Sequence, residues 1–288
     1  NSIFNLNDWI ITQGGLLYSN KMNININSNE KPDEWNTKSL LNKIRYEYAD
    51  LSTELVGIRG FGVPVSPIKS SEAISYMIRP YEVKDPANGY YQTYKGYFDR
   101  RKNYITNLKN LGNMNTLQGN LSALAVDENE IAVVEATEDL SVKKNFKCNR
   151  RGVFFVKGNL TIDGKIANEN VQKDACIFVV NGKVTINNGE EVSESTMEYD
   201  EINAYILADG KIEILKQEVS DIYDGVYIDG GIHSLSTEGV IIKRSLKLGD
   251  RLRFPVLVIN HNSKYGILAG RLFGNELIIQ STEVGLKP

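Results

Sequence analysis

The feature that most constrains this chain is a unit that recurs through its second half: two or three apolar residues, a polar residue, Gly, any residue, apolar, any residue, apolar. It reads Phe154-Phe155-Val156-Lys157-Gly158-Asn159-Leu160-Thr161-Ile162, then Phe178-Val179-Val180-Asn181-Gly182-Lys183-Val184-Thr185-Ile186. Further copies are Ile206-Leu207-Ala208-Asp209-Gly210-Lys211-Ile212-Glu213-Ile214 and Val226-Tyr227-Ile228-Asp229-Gly230-Gly231-Ile232, with a weaker fifth at Ile267-Leu268-Ala269-Gly270-Arg271-Leu272-Phe273. The glycines from Gly158 to Gly230 are 24, 28 and 20 residues apart. At such a period one unit cannot bury its own apolar face and must stack on the next.

Side chains alternate across a strand, so the second and fourth residues after each Gly share one side. Leu160 and Ile162, Val184 and Ile186, Ile212 and Ile214 therefore face an interior, and Thr161, Thr185 and Glu213 face out. Coils stacked about 4.8 Å apart turn these pairs into continuous apolar columns. The fold class this implies is mainly β, a parallel β-solenoid, right-handed by the crossover rule. Each repeated Gly marks a bend or a close backbone approach. Three residues before each Gly stand Phe155, Val179, Leu207, Tyr227 and Ile267, apolar where strict alternation points outward. That stripe needs a cover, from the first half of the same chain or from a partner.

In the first half, Ile10-Ile11-Thr12-Gln13-Gly14-Gly15-Leu16-Leu17-Tyr18 echoes the unit, so a first coil is expected at the very start. From Pro32 to about Leu55, Leu40, Leu41, Ile44, Tyr48, Leu51 and Leu55 recur at helical spacing behind the capping residue Asp33. A Tyr-rich stretch follows, in which Tyr90, Tyr91, Tyr94 and Tyr97 are joined by Arg100 and Arg101. Aromatic and basic residues together can form a contact surface for polysaccharide or a protein partner, and they also serve ordinary packing. The expected organisation is 1–29 as a first coil, 30–125 as a helical, Tyr-rich insertion on the solenoid flank, and 126–288 as the solenoid repeats.

Composition narrows the function classes. A net charge of −3 with 33 basic and 36 acidic residues argues against nonspecific nucleic-acid binding, which needs a strong cationic excess. Two His and two Cys exclude Cys/His-rich metal frameworks. The 30 Asn residues suit many tight corners. His233 and His261 have no nucleophile or ligand partner at motif spacing, no phosphate-binding loop is present, and no cofactor is implied. Asp209, Asp221, Asp224 and Asp229 offer hard oxygen donors, with Asp209 and Asp229 at the same repeat position, but they match no known metal loop. Cys148 lies ten residues before Gly158 and Cys176 six before Gly182, an offset that favours two free thiols over a bridge unless a turn takes it up. The apolar runs are too short for a membrane helix, so any anchor or signal is expected upstream of Asn1.

Three segments carry a resemblance. Asp8-Trp9-Ile10-Ile11-Thr12-Gln13-Gly14-Gly15-Leu16-Leu17-Tyr18-Ser19 resembles the opening of uncharacterised exported β-solenoid proteins of candidate-phylum (Patescibacteria-type) bacteria. Trp35-Asn36-Thr37-Lys38-Ser39-Leu40 with Tyr46-Glu47-Tyr48 resembles the helical segment that follows in that group, and the units from Val153 to Ile162 and from Gly225 to Gly230 resemble its solenoid. The Tyr-rich region and the chain's ending depart from that pattern. The resemblance implies an extracellular or cell-surface location and a structural or adhesive role without catalytic residues. The expectation is a non-enzymatic component that self-assembles or binds another surface protein. The alternatives are a polysaccharide-active enzyme of the pectate-lyase-like solenoid class, with clustered acids and bases in a lateral groove, and a carbohydrate-binding module.

Overall fold

The computed structural model describes residues 10–13, 16–19, 22–24, 58–59, 88–187, 200–215, 226–243, 257–260 and 262–274. Four short strands come first in the chain: β1 (Ile10–Gln13), β2 (Leu16–Ser19), β3 (Met22–Ile24) and β4 (Ile58–Arg59). Helix α1 (Gly89–Arg101) follows, and then β5 (Leu108–Gly112), β6 (Thr116–Leu117), β7 (Ile131–Ala136) and β8 (Leu140–Val142). The glycine units supply β9 (Arg151–Val156), β10 (Leu160–Ile162), β11 (Ala175–Val180), β12 (Val184–Ile186), β14 (Tyr205–Ala208) and β15 (Ile212–Ile214), with β13 (Asp200–Ile202) just before the third unit. The chain continues through β16 (Val226–Asp229), β17 (Gly231–Ser234), β18 (Val240–Ile242), β19 (Leu257–Asn260) and helix α2 (Ser263–Phe273). Among the described residues no helix is long and apolar enough to cross a membrane.

Among the described residues every strand pair is parallel, and the strands stack into three walls of a β-solenoid. The first wall has the order β5-β7-β9-β11-β14-β17-β2 and the second β6-β8-β10-β12-β15-β18-β3. The third wall is β13-β16-β19-β1-β4, extended toward the other end by single bridges at Asn120, Lys147 and Ala167. Leu160, Val184, Ile212 and Val240 lie in register on the second wall, each fully buried, so the predicted interior column is present. Phe154 and Phe178 stack inside with ring centroids 4.6 Å apart.

The glycines at the first-to-second-wall corner have a specific reason. Gly182 N–H donates to Gly158 O at 3.0 Å and Gly210 N–H to Gly182 O at 3.1 Å. A Cβ on Gly182 or Gly210 would sit 2.5 Å from the carbonyl oxygen of the coil beneath, inside any real contact distance. Close backbone approach between rungs therefore selects Gly here.

The chain's first strands do not stack beside its next ones. β1, β2 and β3 pair with β19, β17 and β18, so the N-terminal coil lies beyond the last C-terminal coil. The opposite end is formed by β5 and β6, which fall within the 30–125 segment. The helix read at Pro32 to Leu55 lies outside the described residues.

Two of the five sequence copies belong elsewhere. Val226–Asp229 runs along the third wall, and Gly230 is the corner into β17. The fourth unit imitates the pattern because a third-wall strand followed by a corner Gly has the same apolar-polar-Gly spelling. The residue in register after Leu207 is thus His233, not Tyr227. The fifth copy is helix α2. Its buried Tyr265, Leu268, Ala269, Leu272 and Phe273 follow a helical period, and Asn262 caps it by accepting the Lys264 N–H at 3.2 Å.

Candidate functional site

The first wall carries apolar residues on both faces, and its outer face is covered by two helices of the same chain. On α1 the buried residues Tyr90, Tyr94 and Phe98 recur every four positions. With Tyr265, Leu268, Leu272 and Phe273 of α2 they bury Phe155, Val179 and Leu207. Phe98 meets Phe155 at 5.1 Å between centroids, and Tyr94 meets Phe273 at 5.2 Å, tying the helices to the wall and to each other. Of the expected stripe, Tyr227 is half-buried on the third wall, and Ile267 stands on α2 with 73% of its surface exposed.

The Tyr cluster is correspondingly divided. Tyr90 and Tyr94 are core residues and cannot form an exposed contact platform. Tyr91 and Tyr97 are half-buried, and the Arg100 guanidinium lies 4.9 Å over the Tyr97 ring, leaving Arg100 and Arg101 as the exposed members. Helical periodicity is the physical reason, since the ring at every fourth position must turn toward the wall.

Two polar groups are built into this flank. Asp209, at the corner before Gly210, accepts the backbone N–H groups of Tyr90 and Tyr91, the latter at 3.1 Å, and so holds the first turn of α1. Burial outweighs those two bonds and raises its carboxyl above the usual range. His233 is fully buried, with its Nε2 2.8 Å from the Tyr205 hydroxyl and its ring edge-on to Tyr90. Burial holds its pKa down to about 3, so the ring is neutral at physiological pH.

A groove of about 590 Å³ opens where residues 169–175 and the approach to β7 face α2. Its charged lining is Glu128, Arg150, Arg151, Glu169, Lys173, Asp174, Lys264 and Arg271, with amides at Asn129, Asn149, Asn170 and Gln172 and an apolar side at Ile267 and Leu268. Several of these groups are committed to structure. Asp174 Oδ2 accepts the N–H groups of Glu169 and Asn170 at 3.2 and 2.6 Å. Glu169 accepts Asn149 Nδ2 at 3.0 Å. Lys264 Nζ donates to Asp229 Oδ2 at 2.8 Å and to Val171 O at 2.9 Å, with both side chains of the ion pair about 5% exposed or less.

The arginines are placed differently. Arg151 Nη2 donates to the carbonyls of Asn129 and Glu128 at 2.8 and 3.3 Å, and Arg271 Nη2 to that of Thr106 at 3.2 Å. Burial, and then the charge of Arg271, lower the Arg151 pKa. Sequence reasoning overlooked this groove, because its members come from three corners and a helix and share no motif.

Asp209 and Asp229 do not stack: one caps α1, and the other pairs with Lys264 from the third wall. Asp221, Asp224 and His261 lie outside the described residues. Cys148 and Cys176 are joined in a disulfide, Cα–Cα 6.1 Å, against the expectation of free thiols. Cys148 follows the third-wall residue Lys147, and the corner at residues 149–150 takes up the strand offset before β9 begins. Comparison with protein-family models, curated proteins and solved structures found no match.

Proposed function

We propose that this chain is a non-enzymatic structural component of a cell surface or extracellular layer, acting by self-assembly or adhesion. The observation that carries this reading is the way the stack ends. The last coil accepts a parallel rung, β2 on β17 and β3 on β18, delivered by a segment more than two hundred residues away in sequence. Backbone ladders of this kind are indifferent to which chain supplies the next strand. Among the described residues, β5 and β6 at one end and β2 and β3 at the other each have a neighbour on one side only. A stack whose described end strands each keep an open edge is suited to head-to-tail growth. The Cys148–Cys176 bridge supports an oxidising, exported setting.

The test is sedimentation velocity of the full chain over increasing concentration, with a binding assay against cell-wall and surface material. Reversible oligomers are expected, and Asn110→Pro on the exposed part of β5 should weaken them, because Pro removes a ladder donor at an edge. A strictly monomeric protein that binds no surface material would falsify the reading. A second reading, a polysaccharide-active enzyme or carbohydrate-binding module, is favoured by one observation, the lateral groove with its mixed acids and bases.

A further inference from the structure

The groove beside α2 holds two arginines that have no carboxylate partner among the described residues. A guanidinium has five N–H donors in a planar fork. Arg151 commits Nη2 alone to backbone carbonyls, and so does Arg271, which leaves Nε and Nη1 of both without a protein acceptor among the described residues. Neither has a carboxylate within ion-pair distance among the described residues, whereas Lys143 on the second wall has Asp163 at 2.9 Å and Lys243 has Glu213 at 3.1 Å. The neighbouring carboxylates of Asp174 and Glu169 are already engaged, and Glu128 stands on the exposed rim. Two like charges set side by side in a half-buried groove cost stability unless something neutralises them. One nitrogen of each guanidinium serves the fold, Arg271 tying α2 to Thr106 and Arg151 tying β9 to the carbonyls of Glu128 and Asn129, and the remaining donors of each fork are left for a ligand.

We propose that this groove is a binding site for an oxyanion-bearing ligand, with a carboxylate, sulfate or phosphate group seated between Arg151 and Arg271 and flanked by Arg150 and Lys173. The planar fork matches such groups in a bidentate manner that an ammonium does not. The volume, about 590 Å³, is that of an ordinary small-ligand site and far exceeds a bare ion. The ligand therefore carries a larger polar body, for which the amides of Asn129 and Gln172 supply donors and acceptors and Asn170 its Nδ2, its Oδ1 already accepting from Gln172 and Lys173, while Ile267 and Leu268 offer an apolar edge. An acidic sugar residue and a phosphorylated or sulfated small molecule share this chemistry. The inference stands independently of the assembly reading, because it concerns the flank and not the ends.

Calorimetric titration and thermal unfolding of the full chain test it, using sodium sulfate, sodium phosphate and trigalacturonate as probes against sodium chloride of matched ionic strength. At least one probe should bind and raise the unfolding midpoint beyond the chloride control. Arg151→Gln and Arg271→Gln should each weaken binding about tenfold or more, and Lys143→Gln on the second wall should leave it unchanged. Arg271→Gln gives up one hydrogen bond to Thr106 O and relieves a repulsion, so it should fold, and its binding decides the matter if Arg151→Gln does not fold. Binding of trigalacturonate alone assigns a carboxylate, and binding of phosphate or sulfate alone assigns an ester of that acid. Failure of all three probes, or binding that neither Arg variant alters, overturns the proposal, and neither result bears on oligomer formation.

Discussion

The first and second walls are made by the same coils, yet they solve different problems. Strands of the second wall alternate, with buried Val184 and Ile186 on either side of half-buried Thr185 and the same arrangement in β10 and β15. Strands of the first wall do not alternate: all six residues of β11, Ala175 to Val180, are buried. A wall that faces water on one side needs a polar residue at every second position, and one covered on both sides does not. The difference teaches that an uninterrupted apolar strand in a solenoid encodes a partner element, here α1 and α2. The outer face also differs from the interior in what it tolerates, since it admits the titratable His233 where the interior column holds Ile232.

Acid should break the two faces apart, and His233 sets the largest expected effect. Its pKa is about 6.5 unfolded and about 3 in the buried site, so the folded state binds fewer protons between those values. Stability is therefore complete above pH 6.5 and falls as the pH drops toward 3, by on the order of 5 kcal/mol over the full window. Chemical denaturation across pH 3–8 measures it. His233→Gln, which retains an acceptor for the Tyr205 hydroxyl, should flatten the profile; an unchanged slope assigns the acid sensitivity elsewhere.

Truncating one ring on each face sharpens the comparison. Phe178→Ala opens a cavity in the closed interior beside Phe154, and about 3–5 kcal/mol of global stability should be lost. Phe155→Ala removes the same atoms from under α1 and α2, which can undock without unstacking the coils. Its global loss should be smaller, with amide exchange accelerated in residues 89–101 and 263–273 while β10 and β12 stay protected. Equal protection loss in both variants would show that helices and solenoid unfold as one unit.

How much of this was legible follows from the same contrast. The interior columns could be read because a two-residue period and a repeated Gly leave a direct mark on sequence, and so could the need for a cover over Phe155, Val179 and Leu207. The identity of the cover was half legible: α1 lies in the expected first half, but the segment of α2 spells a fifth coil, because Ile267 to Phe273 satisfies a short apolar pattern at both periods. Only Asn262 and Tyr265, upstream of that window, tip it toward helix. Stacking of the N-terminal coil on the last one leaves no local mark at all, since parallel rungs are chemically alike. The disulfide is hidden from strand offsets because the corner at residues 149–150 lies between Cys148 and β9. The groove was invisible for a related reason, its arginines being 120 residues apart and assembled only by the docking of α2.

The smallest effect concerns the joint between the two kinds of region. Asp209 belongs to a solenoid corner, yet its carboxylate receives the first N–H groups of α1, and Gly89 beside it has φ +68 with no room for a Cβ against that carboxylate. Asp209→Ala should remove this cap at a cost of about 1 kcal/mol, because the apolar contacts of Tyr94 and Phe98 persist. Asp209→Asn should cost less, since an amide oxygen still accepts one N–H and carries no charge whose burial must be offset. Exchange rates of the Tyr90 and Tyr91 amides provide the measurement, and they should rise in the order parent, Asn, Ala while the amides of β14 stay slow. If β14 loosens together with α1, the corner is supporting the wall and not merely the helix, and the covered face is less separable from the coils than its packing implies.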